Sequence, residues 1–137
     1  MNQEKYSKND LIKYRLKRAF ETYEEAELLF RNKHFIASVN RLYYSCYYSL
    51  AALLLKHNIN SVSHAGVRSQ FGLHFINSGK VSKENGKFFS ILFDQRQKGD
   101  YDDFIMFDEE TVNEFLQKTD LFIKSIEELI NEINKIL

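Results

Sequence analysis

Proline and tryptophan are absent from the 137-residue chain, and it contains only one cysteine and five glycines. Without proline, the commonest cause of a broken helix is missing. The single cysteine, Cys46, excludes an intrachain disulfide and a thiolate metal cluster. The longest nearly uncharged stretch, residues 42–55, has 14 residues, too few for a membrane span, and residues 1–10 do not resemble a signal peptide. We therefore expect one cytoplasmic domain over residues 1–137, with no membrane association.

The net charge is zero, from 19 basic and 19 acidic side chains, but the charges are unevenly placed. Residues 1–20 carry six basic and two acidic side chains, whereas residues 94–114 carry two basic and eight acidic ones. A protein that binds nucleic acid by phosphate neutralisation alone is usually basic overall. The composition therefore gives no support to a purely electrostatic RNA binder, and it does not exclude other modes of RNA binding.

Apolar residues recur along most of the chain at spacings of three and four, which is the period of an amphipathic helix. This pattern predicts an all-α bundle of about five helices without strands. Helices are predicted over residues 10–31, 35–57, 64–77, 82–98 and 108–137. N-caps are expected at Asp10, Ser63, Ser82 and Asp108. Gly99 is expected to end the fourth helix, and the second helix, apolar on nearly all sides, is expected to be central or part of a dimer interface.

A first polar segment, Asn40 to Tyr44, places an amide and a guanidinium beside the most apolar part of the second helix. Arg41 cannot lose its charge, so in a buried position it needs carboxylate, phosphate or carbonyl partners. Alternatively, Arg41 lies on a polar edge of the helix and pairs with a glutamate of the first helix such as Glu24 or Glu27. The two interpretations are equally favoured by the sequence.

A second polar segment, residues 94–103, contains Arg96 and Lys98 among four aspartates and the phenol of Tyr101. Helix capping and surface ion pairing are one explanation of these cations, because basic residues near a helix C-terminus satisfy the last carbonyl groups. A functional site is the explanation that the sequence favours. His64 stands at the predicted start of the third helix, where the helix dipole favours a neutral imidazole. The histidines lack the spacing of zinc ligands, so neither a metal site nor a cofactor is predicted.

Three segments of the chain resemble small prokaryotic HEPN-domain proteins in order and spacing: ASVNRLYY at 37–44, SHAGV at 63–67 and LFDQRQKGDYDD at 92–103. The resemblance implies an up-and-down helical bundle that usually dimerises, with a polar site in the cleft between protomers. It also implies a two-gene, toxin–antitoxin-like module in which the HEPN protein is paired with a small nucleotidyltransferase.

Many HEPN proteins are metal-independent ribonucleases that use an arginine followed, after four to six intervening residues, by a histidine. Arg96 matches that arginine, but residues 101–103 are Tyr-Asp-Asp, so no imidazole is available there to move a proton. In some family members the partner enzyme adenylylates a tyrosine beside the motif, and Tyr101 resembles that acceptor by position, in what is predicted to be an exposed loop. A literal Arg-x5-His string from Arg68 to His74 lies in the third helix and is of a kind expected by chance.

These observations leave three hypotheses open. The first is a non-catalytic or weakly active HEPN subunit that binds nucleotide, RNA or a nucleotidyltransferase partner. The second is an endoribonuclease toxin in which Arg96 and His64 are the catalytic residues, with His64 supplied from elsewhere in the cleft. The third is a purely structural homodimer. The residues expected to bind the ligand or partner are Arg41, Tyr44, Asp100 and Tyr101.

Overall fold

The computed structural model describes residues 6–136, with side chains described as far as residue 132. Over these residues the chain forms five α-helices and no strand, which confirms the predicted all-α bundle. The helices are α1 (Lys8–Arg31), α2 (Phe35–Lys56), α3 (His64–Phe71), α4 (Lys83–Tyr101) and α5 (Glu109–Ile136). A π-helical segment, Gly72–Ile76, continues α3. Leu137, the predicted end of the last helix, lies outside the described residues.

Helix α2 is the centre of the bundle and contacts α1, α3, α4 and α5. It runs antiparallel to α1, and two buried serines of α2 join the helices. The Ser38 hydroxyl donates to the Ala26 carbonyl at 2.9 Å, and the Ser45 hydroxyl donates to the Ala19 carbonyl at 2.7 Å. Because these four side chains are small, the helices approach closely and the buried hydroxyls find backbone acceptors.

The apolar core lies around α2, between α1, α4 and α5, and α3 covers one side of it. Aromatic side chains make up much of its volume. The largest fully buried side chains include Tyr43, Phe71, Phe75, Phe89, Phe122, Leu42, Leu50 and Ile123. Among the described residues, no helix combines the length and the apolar character that a membrane span requires.

The predicted N-cap of α1 is wrong by three residues, because Ser7 and not Asp10 caps the helix, which begins at Lys8. Asp10 instead completes a capping box with Ser7. The Asp10 backbone N–H donates to Ser7 Oγ at 3.1 Å, and the Ser7 N–H donates to Asp10 Oδ2 at 3.0 Å. The remaining predicted N-caps each accept a backbone N–H from three residues further on: Ser63, Ser82 and Asp108.

Helix α4 does not end at Gly99, as predicted, but continues to Tyr101. Gly99 serves a different purpose, which is the close approach of the following loop. A Cβ atom at this position would lie 3.2 Å from the Phe107 ring and 3.4 Å from Ile36. The extension places Asp100 one turn after Arg96 on the same helix, so Asp100 and Tyr101 belong to α4 and not to the predicted loop.

Candidate functional site around Arg96 and Tyr43

Arg96 is the one buried charged side chain among the described residues, with 6% of its surface exposed. Its guanidinium carbon lies 4.5 Å from the ring centroid of Tyr43, 5.6 Å from that of Phe93 and 5.9 Å from that of Tyr44. Arg96 Nη1 lies 3.5 Å from Asp100 Oδ2. Arg96 Nε is buried without a hydrogen-bond partner in the described part of the chain. A buried, charged donor without an acceptor is suited to an anionic group from another molecule.

A chain of polar contacts leads from Arg96 to the surface through α2. Asn40 Nδ2 lies 3.2 Å from both carboxylate oxygens of Asp100, to which it donates. Arg41 Nε and Nη2 donate to Asn40 Oδ1 at 3.1 and 2.8 Å. Arg41 Nη1 in turn lies 3.7 Å from Glu25 Oε1. Asp100 is thus held in place by Asn40 as well as by Arg96.

Arg41 is half-buried and pairs with a carboxylate of α1, which is the second of the two interpretations of its position. The partner is Glu25 and not Glu24 or Glu27, because the rotation of α1 turns Glu25 towards α2. The Arg41 guanidinium carbon also lies 5.1 Å from the ring centroid of Tyr44. Tyr44 therefore lies between two guanidinium groups, those of Arg41 and Arg96.

His64, the first residue of α3, faces the same tyrosines. Its Nδ1 atom lies 2.9 Å from the Tyr43 hydroxyl oxygen, and its ring centroid lies 4.6 Å from that of Tyr47 and 5.6 Å from that of Tyr44. Burial, and secondarily the charge of Arg96, lower the pKa of His64 below its ordinary value of 6.5. Burial raises the pKa of the Tyr43 phenol. At neutral pH both groups are therefore uncharged.

The tautomer of His64 determines what its outer nitrogen can do. When the Tyr43 hydroxyl donates to Nδ1, the ring proton is on Nε2, which donates a hydrogen bond to a ligand. When Nδ1 carries the proton and donates to the Tyr43 oxygen, Nε2 has a free lone pair and accepts a proton. The first tautomer suits anion binding, and the second suits general-base catalysis.

Tyr101 does not belong to this cluster. It is the last residue of α4, and 77% of its surface is exposed. Five residues from Arg96 correspond to about 140° of helical rotation, which turns Tyr101 to another side of α4. There it lines a depression of about 420 Å³ with Asp94, Gln97, Lys98 and Asp102. Of the six predicted site residues, the structure leaves Tyr101 apart. It brings the other five together: Arg41, Tyr44, His64, Arg96 and Asp100.

Tyr43 links this cluster and was not among the predicted site residues. It contacts both Arg96 and His64, although periodicity alone places it on the apolar side of α2. Its chemistry could have indicated a role in the site, because a buried tyrosine normally needs a hydrogen-bond partner for its hydroxyl group. Glu25 was also missed, since neighbouring glutamates of α1 are equivalent until the rotation of the helix is known.

Comparison with known proteins identifies the family of this chain. Residues 12–129 match the model of the HEPN domain. The chain therefore belongs to the HEPN-domain family, as its three segments predict.

Three relatives, from one bacterium and one archaeon, align with this chain over most of their length. A UPF0332 protein of Thermotoga maritima is 38% identical over 128 residues, which cover 93% of this chain and 97% of the relative. Two relatives from Methanocaldococcus jannaschii are named Putative toxin MJ0605 and Putative toxin MJ0142. They are 34% and 31% identical over 115 and 108 residues, covering 84% and 79% of this chain and 85% and 74% of the relatives.

Proposed function

We propose that this chain is the HEPN subunit of a two-gene, toxin–antitoxin-like module, one domain over residues 1–137, and that it binds nucleotide, RNA or a nucleotidyltransferase partner. Membership of the HEPN family and the names of two relatives support the class of module. The state of Arg96 favours binding over cleavage. Arg96 is buried, is paired with Asp100, and is followed by the Tyr-Asp-Asp of residues 101–103 in place of the family's histidine.

The cluster can bind an anion by exchange of partners. A guanidinium whose charge is already matched by a carboxylate attracts a second anion less strongly than a free one does. An incoming phosphate or carboxylate therefore competes with Asp100 for Nη1, and the guanidinium turns so that its buried Nε also donates to the ligand. Asp100 keeps its hydrogen bond from Asn40, and His64 Nε2, in its donor tautomer, supplies a further hydrogen bond to the ligand.

A binding comparison tests this role of Arg96. The purified chain is titrated with RNA, with nucleotides and with the nucleotidyltransferase of the neighbouring gene, as wild type and as Arg96→Met. We expect the affinity for at least one of these to fall in Arg96→Met. Arg18→Met is the matched control, because Arg18 also lies over a tyrosine ring, 5.4 Å from the centroid of Tyr48, but outside the cluster. Unchanged binding in Arg96→Met would contradict the proposal and favour a structural homodimer.

A metal-independent endoribonuclease is the second candidate, and one observation favours it. Arg96 and the neutral imidazole of His64 border the same residue, Tyr43. In the tautomer with a free Nε2, His64 accepts the proton of an RNA 2′-hydroxyl, whose oxygen attacks the adjacent phosphorus. Arg96 stabilises the charge that develops on the phosphate. The 5′-oxygen leaves with the proton that His64 took up, relayed through water, and the attacking 2′-oxygen remains bonded to phosphorus in a cyclic phosphate.

RNA cleavage in excess EDTA separates the two candidates. Wild type, Arg96→Ala and His64→Ala are compared with the control Arg18→Ala. Cleavage by the wild type that is lost in Arg96→Ala and His64→Ala, but kept in Arg18→Ala, would establish the ribonuclease. An inactive wild type would leave the binding subunit as the function.

The proposed module also includes a homodimer and a modified tyrosine. The tyrosine-rich side of α2 is half-buried in the single chain and offers rings for a second copy: Tyr44, Tyr47 and Tyr48. A mass measurement by light scattering tests the dimer.

The exposure of Tyr101 supports it as the acceptor of an adenylyl group. Its hydroxyl oxygen would attack the α-phosphorus of ATP on the partner enzyme, with release of pyrophosphate. Mass spectrometry after incubation with the partner and ATP is expected to show one added adenylyl group. This addition should be absent from Tyr101→Phe and present in the control Tyr14→Phe, which removes another exposed tyrosine.

A further inference from the structure

A groove runs between α4 on one side and α3 with its π-helical continuation on the other. It consists of two adjoining cavities of about 520 and about 210 Å³, which share Arg68, Gly72 and Ser90 in their linings. Binding sites for small molecules commonly have volumes of roughly 300–1,000 Å³. Arg96 lines neither cavity, so the groove is distinct from the site around Arg96 and Tyr43.

The smaller cavity is lined by three cationic side chains. Lys83 and Lys87 are four residues apart and therefore lie on one side of α4, while Arg68 faces them from α3. Neither lysine forms an ion pair with any described residue. Arg68 Nη1 lies 3.7 Å from Asp94 Oδ1, the one carboxylate paired with these cations. The groove therefore has a net positive charge, and the Ser90 hydroxyl adds a neutral donor.

Gly72 lies in the lining of both cavities, and no side chain projects from it into the groove. A Cβ atom added there would have no neighbour within 4 Å. Gly72 begins the π-helical segment, and its carbonyl accepts the N–H of Asn77 at 2.9 Å. Single π-helical turns are uncommon and frequently occur at functional sites. Beyond Gly72 the larger cavity has apolar walls formed by Ala65, Leu73 and Phe93.

We propose that this groove binds a small phosphorylated molecule. Its phosphate group lies among Arg68, Lys83 and Lys87, and its remaining part crosses Gly72 into the apolar cavity. Three cations around one short cavity match a single phosphate group, whereas a nucleic-acid backbone requires cations repeated along several phosphates. Phe93 connects the two sites, since the guanidinium carbon of Arg68 lies 4.8 Å from its ring centroid and that of Arg96 lies 5.6 Å from it.

The test is an NMR titration of the full chain at constant ionic strength, with the backbone amides of Gly72 and Ser90 as reporters. The probes are inorganic phosphate, glycerol phosphate and adenosine 5′-monophosphate. We expect saturable shifts at both amides with at least the two organic phosphates. Tighter binding of the adenosine compound would identify a nucleotide as the source of the phosphate, and equal binding would indicate a site that reads the phosphate group alone. Absence of a saturable shift with all three probes would overturn the proposal.

Two variants show whether the groove itself binds the probe. Lys83→Gln/Lys87→Gln is expected to weaken binding by about tenfold or more, because each lysine contributes a charge-assisted hydrogen bond. The control is Lys118→Gln/Lys124→Gln, which removes two exposed lysines of α5. Gly72→Leu, whose side chain enters open space, is expected to block binding of the organic phosphates while leaving the unfolding temperature close to that of the wild type. Equal affinities in the two lysine variants would overturn the proposal, whatever the stability of Gly72→Leu.

Discussion

Two groups of buried aromatic rings lie side by side in the bundle, and they differ in what else they contain. The rings around Phe122 are all apolar, and their centroids lie 6.0–6.3 Å from that of Phe122: Phe71, Phe88 and Phe89. Around Tyr43 the nearby rings include Phe93 at 5.7 Å and Phe89, which borders both groups, at 5.6 Å. This group also holds the guanidinium of Arg96 and the imidazole of His64. We call these the Phe122 cluster and the Tyr43 cluster.

This difference in composition indicates that one cluster stabilises the fold and that the other forms a binding site. Full burial of a phenylalanine side chain contributes about 1.5–3 kcal/mol to stability. Burial of a guanidinium costs several kcal/mol, and an ion pair recovers this cost only when its geometry is excellent. The pair of Arg96 and Asp100, at 3.5 Å and with Arg96 Nε unpaired, does not meet that condition. The Phe122 cluster should therefore hold the bundle together, and the Tyr43 cluster should bind.

The largest effect is expected in the Phe122 cluster. Phe122→Ala leaves a cavity where four rings meet and should lower the free energy of unfolding by about 3–5 kcal/mol. Urea denaturation measures this value. Phe104→Ala is the control, because the Phe104 side chain is fully exposed and its removal should change stability by less than about 0.5 kcal/mol. Equal losses in the two variants would show that the Phe122 cluster does not stabilise the bundle.

The next effect distinguishes the two partners of the ion pair in the Tyr43 cluster. Asp100→Ala leaves the buried Arg96 guanidinium unmatched and should destabilise the protein by about 1–3 kcal/mol. This range is smaller than for a fully buried pair, because a quarter of the Asp100 side chain is exposed. Arg96→Met should change stability by less than about 1.5 kcal/mol in either direction, since an apolar side chain of similar length replaces the charge.

Urea denaturation of both variants gives the comparison. A larger loss in Arg96→Met than in Asp100→Ala would mean that Arg96 stabilises the core. The contrast between the two clusters would then be wrong.

The fold could be predicted from the sequence because each helix carries its own signals. Apolar residues of the right period mark every helix, and Ser63, Ser82 and Asp108 cap three of them by local hydrogen bonds. Gly99 was misread because glycine usually follows a helix. Here its lack of a side chain serves a tertiary contact with Phe107, and no local pattern reveals that contact.

The candidate site could be predicted only in its separate parts. Arg96 and His64 can be recognised in the sequence because each is a polar side chain in a helix whose other signals, apolar spacing and an N-cap, are explained by folding. Their common neighbour Tyr43 could not be found in the same way, since helical periodicity counts a tyrosine on the buried side as core. The contact joins residues 43, 64 and 96 from three helices, and only the packing of those helices shows it.

A smaller effect concerns the hydroxyl group that joins Tyr43 to His64. Tyr43→Phe keeps the ring in the cluster but removes the 2.9 Å hydrogen bond, which should cost about 0.5–1.5 kcal/mol of stability. Tyr44→Phe is the control, since the Tyr44 hydroxyl forms no hydrogen bond with the described residues. Nitrogen NMR of the His64 ring should also change tautomer populations in Tyr43→Phe and not in Tyr44→Phe. If both variants behave alike, the hydroxyl of Tyr43 does not orient His64.

The smallest effect is a dependence of stability on pH to which, of the two clusters, only the Tyr43 cluster contributes. Burial and the charge of Arg96 lower the pKa of His64 below 6.5 in the folded protein. As the pH falls below about 6.5, the unfolded chain therefore takes up this proton before the folded chain does, and the free energy of unfolding falls. Once the folded state is also protonated, this loss levels off.

Urea denaturation at about pH 7.5 and about pH 5.5, across the ordinary pKa of histidine, isolates this contribution when wild type is compared with His64→Gln. His57, whose pKa is lowered by burial and by Lys80, Lys56 and Lys8, adds a loss of the same sign, so both proteins are measured in a His57→Gln background. The capping carboxylates Asp10 and Asp108 have pKa values below 3.8, and their contribution is lost only at lower pH. The pH-dependent loss should be smaller in His64→Gln, because the substitution removes the titrating group of the Tyr43 cluster. The Phe122 cluster contains no titrating group and should contribute nothing to the loss. An equal loss in both proteins would place the titrating group outside the Tyr43 cluster.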